Sequence, residues 1–364
     1  MIFNLQRVGR RPKIRVVDFF SGCGGTSAGL RSAGMTPLVG LDSNANAAST
    51  FRKNFPEASF IEDDICNVTP EGLSDLVATR RRYPVLFSSC APCQPFSAHN
   101  RARVKRIDKG TKSSLLDEVH RFIRYFNPEY LLIENVPGLQ KTSPRTGPFR
   151  RLCMLLGELS YWHDLDILRA QDFGVPQYRR RLVLIASRLG RIKLPTPTHG
   201  PGRPHPYSTV WDWIGGLPRI KAGGIHPTIA NHRAMNLSDL NLDRLRCTPE
   251  GGGRNDWPKH LQLACHQDHS GHSDVYGRMH KRRPASALTT KCLSLSNGRF
   301  GHPTQNRAIS GREAACLQTF DRDFMFDGSL TEIGQQIGNA VPVKLAEVLG
   351  EAIIDHFAEF RRGS

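Results

Sequence analysis

Short apolar runs alternate with helical stretches through the first half of the chain. Apolar runs of strand length lie at 14–20, 37–41, 59–61 and 84–87, and each ends in a polar or glycine-bearing turn. Stretches with the apolar spacing of a helix separate them, such as 44–54. This alternation predicts a doubly wound α/β fold with a mostly parallel sheet and right-handed crossovers.

The same alternation continues to residue 185. From Ser114, with Asp117 three residues on, a capped amphipathic helix is predicted to run to about Phe126. A fully apolar strand at 130–133 follows. A helix through roughly 147–160 and two further strands, 165–168 and 182–185, complete this half.

The pattern changes between residues 189 and 268. This stretch is rich in proline, glycine, histidine and arginine, shows little periodicity and is interrupted by three glycines at 251–253. It predicts a separate, loop-dominated small domain.

Order returns from Tyr276 onwards. A short helix is predicted from Ser310, because Glu313 stands at the third helical position of a capping box. We expect a turn at 336–342 to lead into a last helix through about Phe360, whose apolar face docks on the first sheet. The two ends of the chain would then close one domain around the small one.

Charge and cysteine content narrow the class of protein. The 364 residues include 50 Lys+Arg and 33 Asp+Glu, a formal net charge of +17, which favours a polyanionic partner such as nucleic acid. Nine cysteines without a repeated spacing indicate reduced thiols. No apolar stretch is long enough to span a membrane, and no apolar leader is recognisable, so we expect a soluble, unexported protein.

Candidate binding residues follow the first three strands. A glycine turn, 21–26, separates the first strand from a helix, an arrangement that holds nucleotide-like ligands at a helix N-terminus. Asp42 ends the second strand, where a carboxylate can accept from ribose hydroxyls or cap the next helix. Asp64 follows the third strand, a position suited to accept from an adenine amino group.

A proline-bracketed loop with Cys93 follows the fourth strand. The position places a thiol at the carboxyl edge of the sheet, where open α/β folds bind ligands. The residues alone leave three readings open, namely a reactive thiolate, a buried structural cysteine, or half of a Cys90/Cys93 metal or redox pair. The basic, glycine-bearing segment 99–112 that follows suggests a mobile lid over a phosphate backbone.

Three charged side chains are candidates at the same edge. Glu134 ends the buried strand 130–133, where a carboxylate is costly unless it has a task. Arg179 and Arg181 alternate as they enter the next strand, so both should point to one face, toward an anionic or carbonyl-rich substrate.

A dense histidine cluster raises the question of a metal. Its members are Cys265, His266, His269 and His272. Their spacing matches no common structural zinc site, so we predict no metal and favour contacts with phosphate or substrate.

Taken in order, these motifs resemble those of the DNA cytosine carbon-5 methyltransferases. The resemblance spans roughly 14–188 and 275–360, and no signature position departs from the family pattern. The matching residues are Asp18-Phe19-Phe20-Ser21-Gly22-Cys23-Gly24-Gly25, Asp42, Asp64-Ile65, Pro92-Cys93-Gln94-Pro95-Phe96-Ser97, Glu134-Asn135-Val136, Gln177-Tyr178-Arg179-Arg180-Arg181, Arg312-Glu313 with Leu317-Gln318, and Gly338-Asn339 with Val341-Pro342.

The resemblance implies a Rossmann-like class I S-adenosylmethionine-dependent methyltransferase fold with a smaller target-recognition domain. The implied organisation is a catalytic domain at 14–188, a variable target-recognition domain at 189–274, a return segment at 275–335 and a C-terminal helix at 336–361. The implied reaction moves a methyl group from S-adenosyl-L-methionine to carbon 5 of a flipped-out cytosine in a specific duplex DNA sequence, leaving S-adenosyl-L-homocysteine.

It also implies a role for individual residues. Cys93 would form a covalent bond to carbon 6 of the base, which favours the reactive-thiolate reading. Glu134 would hydrogen-bond ring nitrogen 3 and the exocyclic amine, Arg181 would contact the carbonyl oxygen, and Arg179 would orient neighbouring groups or phosphates. The implied cofactor-binding residues are Phe20, Gly22, Gly24, Gly25, Asp42, Asp64, Ile65, Pro92, Asn339 and Val341.

Rival readings remain at this stage. A branch of the same family methylates transfer RNA, a catalytically silent relative could bind DNA without chemistry, and a nicotinamide oxidoreductase is disfavoured by the glycine spacing. Further expectations are a monomer in the bacterial or phage-infected cytoplasm, associated with the nucleoid, and a cognate restriction endonuclease acting independently.

Overall fold

The protein forms one seven-stranded sheet with helices on both faces. The computed structural model describes residues 14–78, 83–92, 114–141, 146–263 and 274–363. The strands are β1 Arg15–Phe19, β2 Thr36–Leu41, β3 Ser59–Ile61, β4 Val85–Ser89, β5 Tyr130–Asn135, β6 Trp162–Arg169, β7 Gln177–Tyr178, β8 Arg180–Ser187 and β9 Ala285–Ser286.

The order of the strands in the main sheet is β3-β2-β1-β4-β5-β8-β6. The pairs from β3 to β5 are parallel, whereas β8 runs antiparallel to both β5 and β6. The predicted mostly parallel, doubly wound sheet is therefore confirmed. Because β8 is reversed, its first residues lie at the edge where β1 to β5 end.

The helices lie between the strands and after the sheet. They are α1 Gly25–Ser32, α2 Ala45–Asn54, α3 Pro70–Ala78, α4 Leu115–Phe126, α5 Pro148–Glu158, α6 Val210–Ile214, α7 Asp239–Arg246, α8 Gly311–Leu317, α9 Leu330–Asn339 and α10 Val343–Gly363. Both predicted capping boxes form, Ser114 with Asp117 on α4 and Ser310 with Glu313 on α8. Each box satisfies two of the N–H groups that the first turn leaves without intrahelical partners.

The end of the chain differs from its prediction in one respect. Residues 336–339, expected to lie in a turn, form the last turn of α9, and the chain breaks only at 340–342 before α10. The helix continues through Gly338, where it packs against the Thr289 carbonyl. Glycine permits this close approach, because a side chain at 338 would lie 2.2 Å from that carbonyl.

The first and last helices pack against each other. A Cβ atom on Gly29 of α1 would lie 2.3 Å from the Val343 carbonyl oxygen of α10. The buried faces of both helices join β1 and β5 in one apolar cluster through Leu30, Leu345 and Leu349. The expected docking of the final helix on the first half of the chain is thus observed.

The region after β8 is built mostly from loops, as its composition predicts. Only α6, α7 and short 3₁₀ turns interrupt 189–263. Val210 and Ile214 of α6 share an apolar cluster with Phe51 and Phe320, so this part packs directly on the sheet-bearing core. The parallel pair β7–β9 joins the segment after 275 back to the strand that precedes Arg181.

Candidate active site at the carboxyl edge of the sheet

The turns after four strands meet at one edge of the sheet. Ser21 N donates to Leu41 O at 3.0 Å, and Asp42 N donates to Ile61 O at 3.2 Å. Cys90 N lies 3.4 Å from Phe19 O. Since parallel strands lie about 4.8 Å apart, the glycine turn, Asp42, the Asp64 turn and the start of the Cys93 loop are side by side.

The glycine turn has an unusual backbone. Phe20 has a φ of +57°, although it has a side chain, and Gly22 and Gly24 have φ values of +53° and +94°. A non-glycine residue in this region costs about 1 kcal/mol or more. Strain of this kind is typical of functional turns. The Phe20 ring is half-buried beside the turn.

Two further positions of the turn are closely packed. A Cβ atom on Gly24 would lie 2.4 Å from the Phe55 ring, and one on Gly25 would lie 2.7 Å from the Val341 carbonyl oxygen. At Gly22, by contrast, a side chain would meet no atom of the described residues within 4 Å, apart from its neighbours in the chain. The turn is therefore packed against the Phe55 ring and the Val341 carbonyl, and it is open at Gly22.

Asp42 holds the turn from the second strand. Its Oδ2 accepts from Gly22 N and its Oδ1 from Asn44 N, both at 2.9 Å. The helix cap is Asn44, whose side chain accepts from Ala47 N, so the alternative reading of Asp42 as an N-cap is wrong. Burial raises the pKa of Asp42 above its usual value.

Asp64 lies in an exposed turn after β3. Its Oδ1 accepts from Cys66 N at 2.9 Å, and this N–H holds the pKa of Asp64 below its ordinary value. The adjacent Ile65 is buried in the same apolar cluster against which Phe20 packs. Phe20 and Ile65 thus belong to one apolar cluster, and the Asp64 carboxylate lies at its surface next to Ile65.

The remaining predicted cofactor residues differ in exposure. Val341 is buried and its carbonyl faces Gly25, whereas Asn339 and Pro92 are exposed. Pro92 is the last described residue before Cys93, so Cys93 itself and the basic segment 99–112 lie outside the described residues.

The base of the Cys93 loop is tied to the strand that ends in Glu134. Asn135 Nδ2 donates to Ala91 O at 3.0 Å. Cys90, at the end of β4, lies 3.5 Å from Thr26 Oγ1, and burial together with the charge of Glu134 raises its thiol pKa well above the usual value. A thiol whose pKa is raised in this way is mostly protonated at neutral pH, which makes Cys90 a poor nucleophile.

Glu134 and Arg181 form an ion pair across β5 and β8. Arg181 Nε lies 2.6 Å from Glu134 Oε1, and the two side chains are 17% and 11% exposed. The N–H does not point along this line, so Glu134 Oε1 has no well-directed hydrogen-bond partner among the described residues. A nearly buried carboxylate with a cation fixed beside it suits a polar heterocycle that gains charge.

Arg179 has a different environment from Arg181. It is 2% exposed, and its guanidinium donates to three backbone carbonyls, those of Leu288, Gly338 and Ala340, at 2.8, 3.0 and 3.2 Å. Burial and the charge of Arg181 lower the pKa of Arg179 to about 9, so it is charged at neutral pH. Of its two expected roles, orienting neighbouring groups is compatible with this burial, and direct contact with phosphates is not.

Three residues organise this edge although the sequence analysis gave them no role, namely Gln318, Gln177 and Asp18. Gln318 donates from Nε2 to Ile337 O and Ala340 O, and its Oε1 accepts from Gln177. Asp18 is fully buried below the turn and accepts from Ser27 Oγ at 2.7 Å. A carboxylate inside the apolar run 14–20 was a visible signal, by the argument applied to Glu134.

The described residues contain neither a metal-binding cluster nor a membrane-spanning helix. Within the described residues, no group of three or more His, Cys, Asp or Glu side chains could hold a metal ion. Residues 264–273, with the cysteine and histidines considered for zinc, lie outside that part of the chain. None of the helices described is both long and apolar enough to cross a membrane.

Comparison with known proteins identifies the family. The family model of the C-5 cytosine-specific DNA methylases matches residues 14–355. The chain belongs to this family. As a C-5 cytosine-specific DNA methylase it is an enzyme that acts on DNA, and methyl transfer in this family implies the use of S-adenosylmethionine.

Named relatives agree over most of the chain. The methylase is 40% identical over 344 residues to the type II methylase M.HgiDII of Herpetosiphon aurantiacus, covering 93% of this chain and 94% of the relative. It is 33% identical to the type II methyltransferase M1.HphI of Haemophilus parahaemolyticus, covering 93% and 86%. The resemblance inferred from the motifs is confirmed, and the oxidoreductase reading is excluded.

A solved structure confirms the fold. A putative DNA modification methyltransferase encoded within an E. coli prophage superposes with a TM-score of 0.72 at 20% identity, covering 95% of this methylase and 99% of that chain. Dnmt2 of S. pombe superposes with a TM-score of 0.61 at 16% identity, covering 95% and 99%.

Proposed function

We propose that this methylase transfers a methyl group from S-adenosylmethionine to carbon 5 of a cytosine turned out of duplex DNA, with Cys93 as nucleophile and Glu134 as the group that holds the base. The observation behind the proposal is the Glu134–Arg181 pair, which lies at the sheet edge beside the base of the Cys93 loop. The family model describes DNA methylases, and M.HgiDII and M1.HphI are named as type II enzymes, which favours duplex DNA over transfer RNA as the substrate.

The residues at the glycine turn fit the proposed cofactor. The open space in front of Gly22 admits a ligand close to the backbone, and Ser21 Oγ and Ser89 Oγ are buried without a hydrogen-bond partner among the described residues. Phe20 and Ile65 would lie against the adenine, Asp64 would accept from its amino group, and Asp42 from the ribose. The other proposed cofactor-binding residues are Gly22, Gly24, Gly25, Pro92, Asn339 and Val341.

Chemistry at the base begins with the Cys93 thiolate. Carbon 5 of cytosine is a poor nucleophile, so the thiolate adds to carbon 6 and pushes the electron pair of the carbon 5–carbon 6 bond onto carbon 5. Glu134 hydrogen-bonds ring nitrogen 3 and the exocyclic amine, and Arg181 hydrogen-bonds the carbonyl oxygen. Both contacts stabilise the charge that this addition creates in the ring.

Carbon 5 would then bond to a methyl group, and the bond between that methyl carbon and the sulfonium sulfur would break, its electron pair staying on the sulfur of S-adenosylhomocysteine. When bound, S-adenosylmethionine supplies an electrophilic methyl group. The proton on carbon 5 leaves to a base, the electron pair re-forms the carbon 5–carbon 6 double bond, and the Cys93 thiolate is expelled. Turning the cytosine out of the stack costs on the order of a few kcal/mol, which basic residues bound to the phosphates offset.

Covalent trapping tests the proposal directly. Duplex DNA with 5-fluorocytosine at the target should form a stable adduct in the presence of S-adenosylmethionine, because fluorine on carbon 5 replaces the proton that must leave. Cys93→Ala should abolish the adduct, and Cys153→Ala, a half-buried helix thiol distant in sequence, should retain it. An adduct that persists in Cys93→Ala would refute the assignment of the nucleophile.

Recognition and cellular setting extend the proposal. Residues 189–274 would read the target sequence, with 275–335 returning the chain to the core, and a restriction endonuclease of the same specificity would act independently. The bacterial type II relatives support this setting, in which the enzyme works as a monomer in the cytoplasm near the nucleoid.

A further inference from the structure

The turn proposed to hold the adenine amino group is fixed from outside by one arginine. Residues Ile65–Asn67 form a single 3₁₀ turn with Asp64 as its cap. On the helix that faces it, Arg121 donates from Nη1 to Val68 O at 2.6 Å and from Nη2 to Ile65 O. The two carbonyls lie on either side of the turn, so one planar guanidinium spans it.

Arg121 is itself held in place. Its Nε donates to Glu118 Oε2 at 3.1 Å, three residues earlier on α4, and the guanidinium lies 4.6 Å from the centre of the Phe122 ring. The side chain is 32% exposed. Because all three guanidinium nitrogens have an acceptor and the charge is balanced by Glu118, the side chain is preorganised.

The other hydrogen bonds seen in the described part of the turn are short-range. Asp63 Oδ1 accepts from Asp64 N and from Asn67 Nδ2, and Asp64 Oδ1 accepts from Cys66 N. These bonds connect residues at most four apart, so they shape the turn without fixing it relative to the sheet, on which the buried side chains of Ile65 and Val68 anchor it. Arg121 joins it to α4, which packs on the sheet through Val119 and Phe122.

We propose that Arg121 is a positioning residue for the adenine end of the cofactor site, holding the Asp64 turn so that it recognises the 6-amino group. This inference rests on the proposed function of Asp64 and adds to it a residue that does not touch the cofactor. A purely structural role would weaken binding of every ligand of the site equally. A positioning role weakens recognition of the amino group in particular.

The test compares two ligands in matched variants. S-adenosylhomocysteine and its purine analogue lacking the 6-amino group are titrated by calorimetry into the wild type, Arg121→Met and Arg124→Met. Arg124 is the control because it lies on the same helix, and within the described residues its ion pair is with exposed Glu158. The wild type should prefer the amino ligand, and Arg121→Met should reduce that preference about tenfold, the equivalent of one hydrogen bond.

The expected result has further parts. Arg124→Met should match the wild type for both ligands, and Arg121→Met should raise KM for S-adenosylmethionine far more than it lowers kcat. Arg121→Lys, which keeps the charge and can reach one carbonyl, should lie between Met and wild type, and it serves if the Met variant fails to fold.

Four outcomes would count against the inference or against the cofactor site on which it rests. An unchanged preference in both Arg121 variants, or an equal loss of affinity for both ligands, would reduce Arg121 to a structural role. A wild type that binds both ligands without preference would remove the role of Asp64 in the proposed function itself. Failure of the wild type to bind either ligand would instead refute the cofactor site.

Discussion

At the scale of single residues, Asp18 is the most buried acid below the glycine turn. It is 1% exposed, and burial raises its pKa from 3.8 to about 6 despite the hydrogen bond from Ser27. In the unfolded chain the carboxyl group titrates near 3.8. Between these two pH values the folded state keeps a proton that the unfolded state has lost.

The sign of the resulting pH dependence follows from linkage. The contribution of Asp18 to stability is fully present below the unfolded pKa and is lost as pH rises through the folded pKa, a change of about 3 kcal/mol. We expect the free energy of unfolding of the wild type, minus that of Asp18→Asn, to fall between pH 4.5 and 7.5 in urea titrations. A difference that stays constant or rises with pH would contradict the burial of an ionisable Asp18.

Single substitutions should affect turnover and cofactor binding separately. Glu134→Gln should lower turnover at least ~10³-fold, because it removes the charge opposed to the base. Its calorimetric affinity for S-adenosylhomocysteine should stay within about twofold of the wild type, because Glu134 is not part of the glycine turn. Glu158→Gln, on the exposed end of α5, is the matched control, and parallel loss of the cofactor in Glu134→Gln would show that the division of roles is wrong.

Sequence reasoning located residues whose position depends on the end of a strand, and it failed for contacts that depend on distant partners. Glu134 was expected at the carboxyl edge of the sheet because it ends an apolar run, and it lies there. The environment of Arg179 was not, because its acceptors are backbone carbonyls 109, 159 and 161 residues away, and carbonyls leave no trace in the pattern of side chains. The ion pair of Arg181 with Glu134 was also missed, although both residues were named.

At the scale of elements, helix starts were predictable and one helix end was not. Capping boxes are local signals, and those at Ser114 and Ser310 formed as expected. The Gly338-Asn339 pair has the composition of a turn but lies in α9, because the packing of Gly338 against Thr289 overrides local preference. Loop-rich residues 189–263 offered no period from which to predict their packing.

The contact between α1 and α10 gives a prediction at this scale. Gly29→Ala should destabilise the protein by about 3 kcal/mol, because its new methyl group would overlap the Val343 carbonyl. Gly157→Ala, in an exposed helical position with nothing within 4 Å, should be stabilising by up to about 1 kcal/mol. Urea denaturation of both variants measures their free energies of unfolding. Equal changes in the two variants would argue against the close approach of α1 and α10.

At the scale of the whole molecule, the net charge of +17 predicts strong salt dependence for DNA. Raising salt from about 50 to about 200 mM should weaken duplex binding on the order of a thousandfold if six or more phosphates are contacted. Affinity for S-adenosylhomocysteine, which has no net charge, should change by less than about twofold. Fluorescence anisotropy measures the affinity for duplex DNA, and calorimetry measures the affinity for S-adenosylhomocysteine. A duplex affinity that does not change with salt would exclude an electrostatic role for the excess of basic residues.

The covering of α1 by α10 also sets an order of events during synthesis. The glycine turn leaves the ribosome early, yet Val341, whose carbonyl closes against Gly25, is translated more than 300 residues later. We therefore expect a nascent chain in which residue 341 has not yet been added to lack this wall of the proposed cofactor site and to be unable to transfer methyl groups.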